Sequence, residues 1–362
     1  MKLHCQNMDN FTFSWIIFKL NCPEQVPRIQ NYFEKNKSIQ KKTSINNSIF
    51  ESSNNTKTKC DISFINPHEN VLIKTNFTQN FQPFQTEINY DRTEEDLSFM
   101  KNLNIGGQFE PKDCEPVSRV AIVIPYKNRE HNLRMFLYNM HPFLQKQRLK
   151  YTIFVVEQVN SDKFNKGKVN NAAFIEIIQK STKNFTLASD FECVVYHDVD
   201  LLPTSFLNFY TCPEKRPKHL SIIVGKSDYR IYYPILVGGV IFFRIENYVQ
   251  VNGYSNRFWG WGAEDDDMFY RLRSTHLGFD RPKNNTVYKM LTHEKQKKNP
   301  LRVKLLREGK DKYQNDGLNS VNYCLKAIKS TQPIYTTLSQ LSDFRKFPNF
   351  LLINNEIILI RI

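Results

Sequence analysis

Apolar and polar positions in this chain fall into a clear pattern only after residue 105. "RVAIVIPYKNR" (119–129) is an unbroken apolar run stopped by Pro125, which predicts a buried parallel strand ending in a polar loop. In "EHNLRMFLYNMHPFLQKQR" (130–148), Leu133, Phe136, Leu137, Met140 and Leu144 recur at helical spacing. "YTIFVVEQ" (151–158) predicts a second strand, "NNAAFIEIIQKS" (170–181) a second helix, and "FECVVYHDVDLLP" (191–203) a third strand with an abrupt end. Strand, helix, strand, helix, strand within about ninety residues argues for a parallel α/β sheet. Downstream, "YYPILVGGVIFFR" (232–244) is apolar but broken by Gly238 and Gly239. "DDMFYRLRSTHLGF" (266–279) predicts a helix with Phe269 and Leu272 inward and Gly278 near its stop.

Upstream, residues 23–100 are polar and weakly periodic, and "SINNSIFESSNNTKTK" (44–59) reads as linker or disorder. "FTFSWIIFKL" (11–20) is apolar, but a spanning helix needs about 20 apolar residues. The run ends at Lys19 and Asn21 and has no small-residue cleavage site, so it reads as neither a clear anchor nor a clear signal peptide. No internal repeat is visible. The last stretch, "DFRKFPNFLLINNEIILIRI" (343–362), is a basic-then-apolar tail without an assignment.

Composition narrows the partners. The chain has 362 residues, 40% hydrophobic and 13% aromatic, which is enough for a large folded core. A net charge of +14 favours acidic partners. The excess is spread through a chain rich in Lys, Asn and Ile, with no Arg/Lys stripe interleaved with aromatics, so nucleic acid is not an expected partner. None of the seven cysteines stands in C-x-x-C spacing, which excludes zinc ribbons and thioredoxin-like motifs. Sequons at Asn10, Asn36, Asn46, Asn54, Asn76, Asn184 and Asn284 lean towards a secretory compartment.

Five short stretches carry chemistry. In "HDVDLLP", Asp198 and Asp200 are two apart on a predicted strand, so both are expected on one face with Val199 turned to the core. Carboxylates at the carboxyl end of a parallel strand suit a divalent cation that grips a diphosphate, although D-x-D alone usually marks a turn. "YKMLTH" places Met290 three residues before His293, a weak and a good ligand respectively. "PYKNR" (125–129) and "FNKGK" (164–168) put Lys and Arg at the mouth of the sheet, where anionic ligands bind and where solvated loops also lie. In "FWGWGAEDDD" (258–267), glycines flank Trp261 and permit a lid. The acids that follow are favoured at a helix start by the dipole. Crowded together they also raise one another's pKa, as a general base near neutral pH requires. An indole beside carboxylates suits a sugar.

In order, "GGQFEPKDC", "RVAIVIPYKNREHNL", "MHPFLQKQRL", "FNKGK", "FECVVYHDVDLLP", "VGGV", "NGYSNRFWGWGAEDDDMFYRL", "RP", "KMLTH", "NDGLNS" and "PIYTTLS" resemble the β-1,4-galactosyltransferase family, glycosyltransferase family 7. The resemblance runs from Cys60 to Ser342. It implies a GT-A-type α/β fold with a mostly parallel central sheet as a single catalytic domain at 60–342. A polar stem at 23–59 and a partial signal-anchor at 1–22 would precede it, as in a type II protein of the Golgi lumen. It implies Mn²⁺ and a UDP-sugar donor.

Carried over, Pro125, Tyr126, Lys127, Asn128, Arg129, Phe164, Asn165, Lys166, Asp198, Val199, Asp200, Gly239, Trp261 and His293 would line the donor site. Asp200, Met290 and His293 would be the metal ligands. Tyr233, Trp261, Ala263, Glu264, Asp265, Asp266 and Arg302 would hold a GlcNAc-terminated acceptor, with Asp265 as general base beside Glu264. The implied disulfides are Cys60–Cys114 and Cys193–Cys212. Lys127 and Lys166 stand where the vertebrate pattern has Arg, which weakens bidentate contacts. Ala263 replaces a lid glycine, and a short deletion follows Asn299 ahead of Arg302.

Leu236, three residues before Gly239, replaces a Tyr that crowds the donor's C2 substituent in vertebrate galactosyltransferases. An aliphatic residue leaves room for an N-acetyl group, so UDP-GalNAc is expected as donor. UDP-Gal on the same acceptor is the alternative, and a non-catalytic glycan-binding relative is the alternative of another class.

Overall fold

A computed structural model describes residues 14–20, 57–66, 102–159, 161–179, 191–225, 233–282, 286–294 and 296–330. The seven sequons, most of the 23–59 stem and the 343–362 tail lie outside these residues. Strand β1 (Ser14–Leu20) and the short β2 (Gln108–Phe109) precede β3 (Arg119–Tyr126). Helix α1 (Glu130–Lys146), β4 (Lys150–Gln158), α2 (Lys166–Phe174) and β5 (Cys193–His197) follow. Then come β6 (Leu201–Pro203), β7 (Lys218–His219), β8 (Ile223–Val224) and β9 (Val240–Arg244). Helices α3 (Ile245–Gln250) and α4 (Glu264–Ser274), strand β10 (Val287–Met290), helix α5 (Arg302–Lys312) and strand β11 (Tyr323–Ser330) complete the described chain.

The main sheet runs β11-β1-β4-β3-β5-β9-β7, with β2 also on β4. Its centre, β1-β4-β3-β5, is parallel, while β11, β9, β7 and β2 add antiparallel edges. The fold is therefore the expected α/β type around a mostly parallel core. Alternation explains the unbroken apolar runs. Val120, Ile122 and Ile124 of β3 face a core shared with α1, and Ala121 and Val123 face one shared with α2 and α4. Strands covered on both faces need no polar positions. Right-handed crossovers require α1 and α2 on opposite faces, because the chain steps from β3 out to β4 and then back past β3 to β5.

The N-terminal apolar segment extends the sheet. Ser14–Leu20 is a strand of this sheet, with Ile16 opposite Val156 on β4 and opposite Ile328 on β11. Ile16 and Ile17 are buried in the cores on opposite faces, so apolar residues are needed on both sides of this strand. The sheet thus takes a strand from well upstream of residue 60. No helix among the described residues is long and apolar enough to cross a membrane.

The helix predicted from 266 begins two residues earlier, at Glu264, because Ala263 turns the chain in a left-handed conformation (φ 75°). That geometry costs an L-residue about 1 kcal/mol. The helix is fixed from inside. Buried Arg271 pairs with Asp267 (2.6 Å), donates to the Gly253 carbonyl (3.2 Å) and reaches Asp316 (3.5 Å). Gly309 of α5 lies so close to Asp267 that a Cβ there would meet Oδ1 at 2.2 Å. Disulfides Cys60–Cys114 and Cys193–Cys212 are both formed. Cys324 is disulfide-bonded too, to a partner outside the described residues.

If β1 belongs to the sheet, Ile17→Ala lowers the unfolding free energy by about 2–5 kcal/mol in a denaturant titration. A change below about 0.5 kcal/mol, the level of a surface substitution, contradicts this placement.

Candidate active site

The carboxyl ends of β3, β4 and β5 open at one edge of the sheet, where α/β proteins bind ligands. There the structure changes the reading of "DVD". β5 ends at His197, and the Asp198 N–H is donated to the Gly239 carbonyl (2.9 Å). Leu201 N then donates to the Asp198 carbonyl (3.2 Å), closing a tight turn that hands the chain to β6 in a second, three-stranded sheet. Asp198 and Asp200 therefore lie in a turn, not on one strand face, and they serve different partners. Val199 between them is buried in the core, as expected.

Asp200 belongs to the arm formed by β6 and β10. Leu291 N donates to its carbonyl (2.7 Å), and Met290 pairs with Leu201, the next residue along. Asp200 Oδ2 lies 2.9 Å from His293 Nε2. The other ring nitrogen, Nδ1, is 2.8 Å from the Glu294 carbonyl, which can only accept, so Nδ1 carries the proton. An ionised Asp200 can only accept as well, so a proton or a cation must stand between its Oδ2 and His293 Nε2. Burial, with the Asp198 charge adding to it, pushes the Asp200 carboxyl up. Among the described residues no three His, Cys, Asp or Glu side chains gather as a complete cage. Asp200 Oδ2 and His293 Nε2 stand together as an oxygen and an imidazole donor, a set that suits a divalent cation, while Met290 packs against the core next to them in the chain.

The second arm carries "WGWGAEDDD". Trp259 packs against the core, with Lys168 Nζ 5.3 Å from its ring. Trp261 is instead 53% exposed, held by its backbone to the carbonyl of Lys297 (3.3 Å) and the N–H of Asn299 (3.0 Å). Gly260 and Gly262 adopt φ of +84° and +109°, which explains the glycines on either side. Arg302 lies against Gly262, its Cδ 3.2 Å from where a Cβ would sit, so the structure brings Arg302 to the Trp261 loop despite the deletion upstream.

The four acids have four environments. Asp267 is the structural partner of Arg271. Asp266 accepts from the Tyr233 hydroxyl (2.8 Å), joining two expected acceptor residues. Asp265 accepts from Lys166 Nζ (3.3 Å), and the same amine pairs with Asp198 (2.8 Å). Glu264 keeps one carboxylate oxygen, Oε2, buried without a hydrogen-bond partner. Burial and the neighbouring Asp265 raise the Glu264 pKa. Burial raises that of Asp265, and Lys166 opposes it. Burial would lower the Lys166 pKa, but Asp198, Asp265 and Glu264 outweigh it and hold the amine well above its usual value.

The residues expected to line the donor site lie around these arms. Pro125 and Tyr126 end β3. Lys127 Nζ reaches the Asp162 carbonyl (2.5 Å), Asn128 takes a positive φ of 50°, and Arg129 donates to the Glu294 carbonyl (2.9 Å) beside His293. The Phe164 carbonyl accepts from Gly260 N (2.8 Å), tying this loop to the lid. The Asn165 side chain is fully committed: it caps α2 through Lys168 N (2.9 Å) and donates to the Asn256 carbonyl (2.9 Å). Gly238 was missed as a site residue. A Cβ there would stand 2.1 Å from Asp265 Oδ2, so the glycine lets the carboxylate approach. Its sequence signals were the Gly-Gly break in an apolar run and the family-like "VGGV", neither of which points to Asp265.

Residues 67–213 match the family described as the N-terminal region of glycosyl transferase group 7, and residues 218–294 match the N-terminal domain of galactosyltransferase. Human β-1,4-galactosyltransferase 3 is 38% identical over 238 residues, 65% of this chain and 58% of that protein. The chain thus spans less than two thirds of that relative's length. Cricetulus griseus β-1,4-galactosyltransferase 4 is 36% identical over 253 residues, 69% of this chain and 71% of that protein. The catalytic domain of Drosophila β-1,4-galactosyltransferase 7, crystallised with xylobiose, is 28% identical and covers 57% of this chain and 84% of its own, with a TM-score of 0.47. By its sequence, this chain belongs to glycosyltransferase family 7, the β-1,4-galactosyltransferase family.

Proposed function

We propose that this protein is an inverting β-1,4-hexosyltransferase that moves a sugar from a UDP-hexose to the 4-hydroxyl of a terminal GlcNAc. The observation that carries this reading is the single amine of Lys166 held by Asp198 on one side and Asp265 on the other. It sets the acid of the acceptor arm one side chain away from the turn that carries Asp200. In the reaction Asp265 takes the proton from O4, and that oxygen forms a bond to C1 of the donor. The bond from C1 to the UDP oxygen breaks on the opposite face, and UDP leaves with the electron pair. Glu264 Oε2, buried and unpartnered, is suited to accept from a second acceptor hydroxyl. Gly238 leaves Asp265 the space to face the acceptor. Asp200, Met290 and His293 would hold Mn²⁺, which supplies positive charge to the departing diphosphate. Lys127 and Arg129 would add positive charge at the mouth, and the Trp261 lid would exclude water.

The relatives named above are galactosyltransferases, so UDP-Gal is the better supported donor. This reverses the order that Leu236 alone gave. The second reading, UDP-GalNAc, still rests on Leu236, which offers an aliphatic contact where a Tyr ring would crowd an N-acetyl group. An intact Lys166–Asp265 pair speaks against a non-catalytic glycan binder. Two disulfides suit an oxidising lumen, and we place the protein in the Golgi.

Asp265→Asn removes the base and should lower transfer by about 10²–10⁴-fold while UDP affinity in Mn²⁺ stays near wild type. Transfer within a few-fold of wild type would show that another group takes the proton. UDP-Gal competed against UDP-GalNAc on one GlcNAc acceptor decides the donor. Leu236→Tyr should lower the use of UDP-GalNAc relative to UDP-Gal by about tenfold or more, and an unchanged ratio removes Leu236 from donor choice.

A further inference from the structure

Behind the loop from Tyr233 to Gly239 stands a post of polar side chains that the chemistry above does not use. Arg281 Nη2 donates to the carbonyls of Pro234 (3.0 Å) and Leu236 (2.6 Å). Its Nε donates to His219 Nδ1 (3.3 Å), and the Phe279 ring lies 5.0 Å from the guanidinium. His219 is fully buried, and burial pushes its imidazole down to about 3, so the ring is neutral. With Nδ1 accepting, the proton sits on Nε2, which donates to the Gly238 carbonyl (2.8 Å). Ser221 Oγ donates to that same carbonyl (2.7 Å) and accepts from Val240 N (2.8 Å).

The carbonyls of residues 234, 236 and 238 are alternate ones along a single loop, and all three turn onto this post. The other side of the loop faces the site: Gly238 abuts Asp265, and Tyr233 bonds Asp266. The position of Leu236 is therefore set from behind, by a fork that serves two carbonyls and a ring nitrogen together. A lysine has no such fork.

We propose that Arg281 is a specificity-positioning residue, which holds Leu236 by its backbone and so determines how sharply the protein distinguishes a hexose from an N-acetylhexosamine donor. The inference rests on the transferase reading above. It differs from the role of Leu236 itself, because Arg281 acts only through the loop.

The test compares wild type, Arg281→Lys, Leu236→Gly and the double variant, each as the full chain. It reads kcat/KM for UDP-Gal and UDP-GalNAc on one GlcNAc acceptor, with the melting temperature alongside. Arg281→Lys should shrink the wild-type donor preference towards parity by about tenfold, a size typical of one displaced pocket contact. In the Leu236→Gly background the same change should leave the ratio unmoved, since the side chain it positions is gone. Equal loss with both donors marks a merely structural role and overturns the proposal, as does an undiminished effect in the Leu236→Gly background. If Arg281→Lys does not fold, Ser221→Ala is read the same way: a smaller shift of the ratio supports the proposal and an unchanged ratio overturns it. A wild-type chain that transfers neither sugar removes the proposed function and this inference together. An active wild type with an unmoved ratio removes the inference alone.

Discussion

The site depends on one buried amine. Lys166 is the first residue of α2, a place where the helix dipole disfavours a cation. It stays there because Asp198 and Asp265 receive it, with Glu264 near enough to add to its charge. Three acids crowded at low exposure would otherwise lose their charges to one another. The amine thus joins the turn after β5 to the start of α4, two pieces of chain more than sixty residues apart. Asn165 fixes the base of the lysine by capping the same helix and by holding the Asn256 carbonyl. Without Lys166, Asp265 would lose the cation that opposes its burial so close to Asp198.

The acidic run shows how four like charges can share one helix start. Each acid is drawn to a separate element: Asp267 to Arg271 in the core, Asp266 to Tyr233, Asp265 to Lys166. Only Glu264 keeps a buried oxygen without a partner among these four. The dipole explains why acids are tolerated here, and the partners explain why they differ. A helix-start reading and a functional reading are therefore both correct, for different members of the same string.

Much of this was legible in the sequence because it is local. Strands covered on both faces advertise themselves as unbroken apolar runs, and the helices between them by their spacing, so 119–203 read correctly as α/β. What could not be read depends on distant partners. A seven-residue, mostly apolar stretch at 14–20 looks alike as a short membrane segment or as a strand until β4 and β11 lie on either side. Asp198 and Asp200 were placed on one face by strand periodicity, but β5 ends at His197 and the bond from Leu201 N to the Asp198 carbonyl turns the chain. Gly238 and Arg281 lie in the short family-like stretches "VGGV" and "RP", which do not say what either residue touches. Their roles appear only when the 233–239 loop is seen between Asp265 on one side and the His219 post on the other.

The most direct test of the Lys166 bridge is the pH dependence of transfer in Lys166→Met. Burial raises the Asp265 pKa and the Lys166 charge pulls it back down. A base must be ionised to act, so the rate falls on the acid side as Asp265 takes up a proton. Removing the cation lets that pKa rise further, and the acid limb should move to higher pH by about one unit or more. An acid limb at the wild-type position, whatever the absolute rate, would show that Lys166 does not govern Asp265 and would contradict this account of the site.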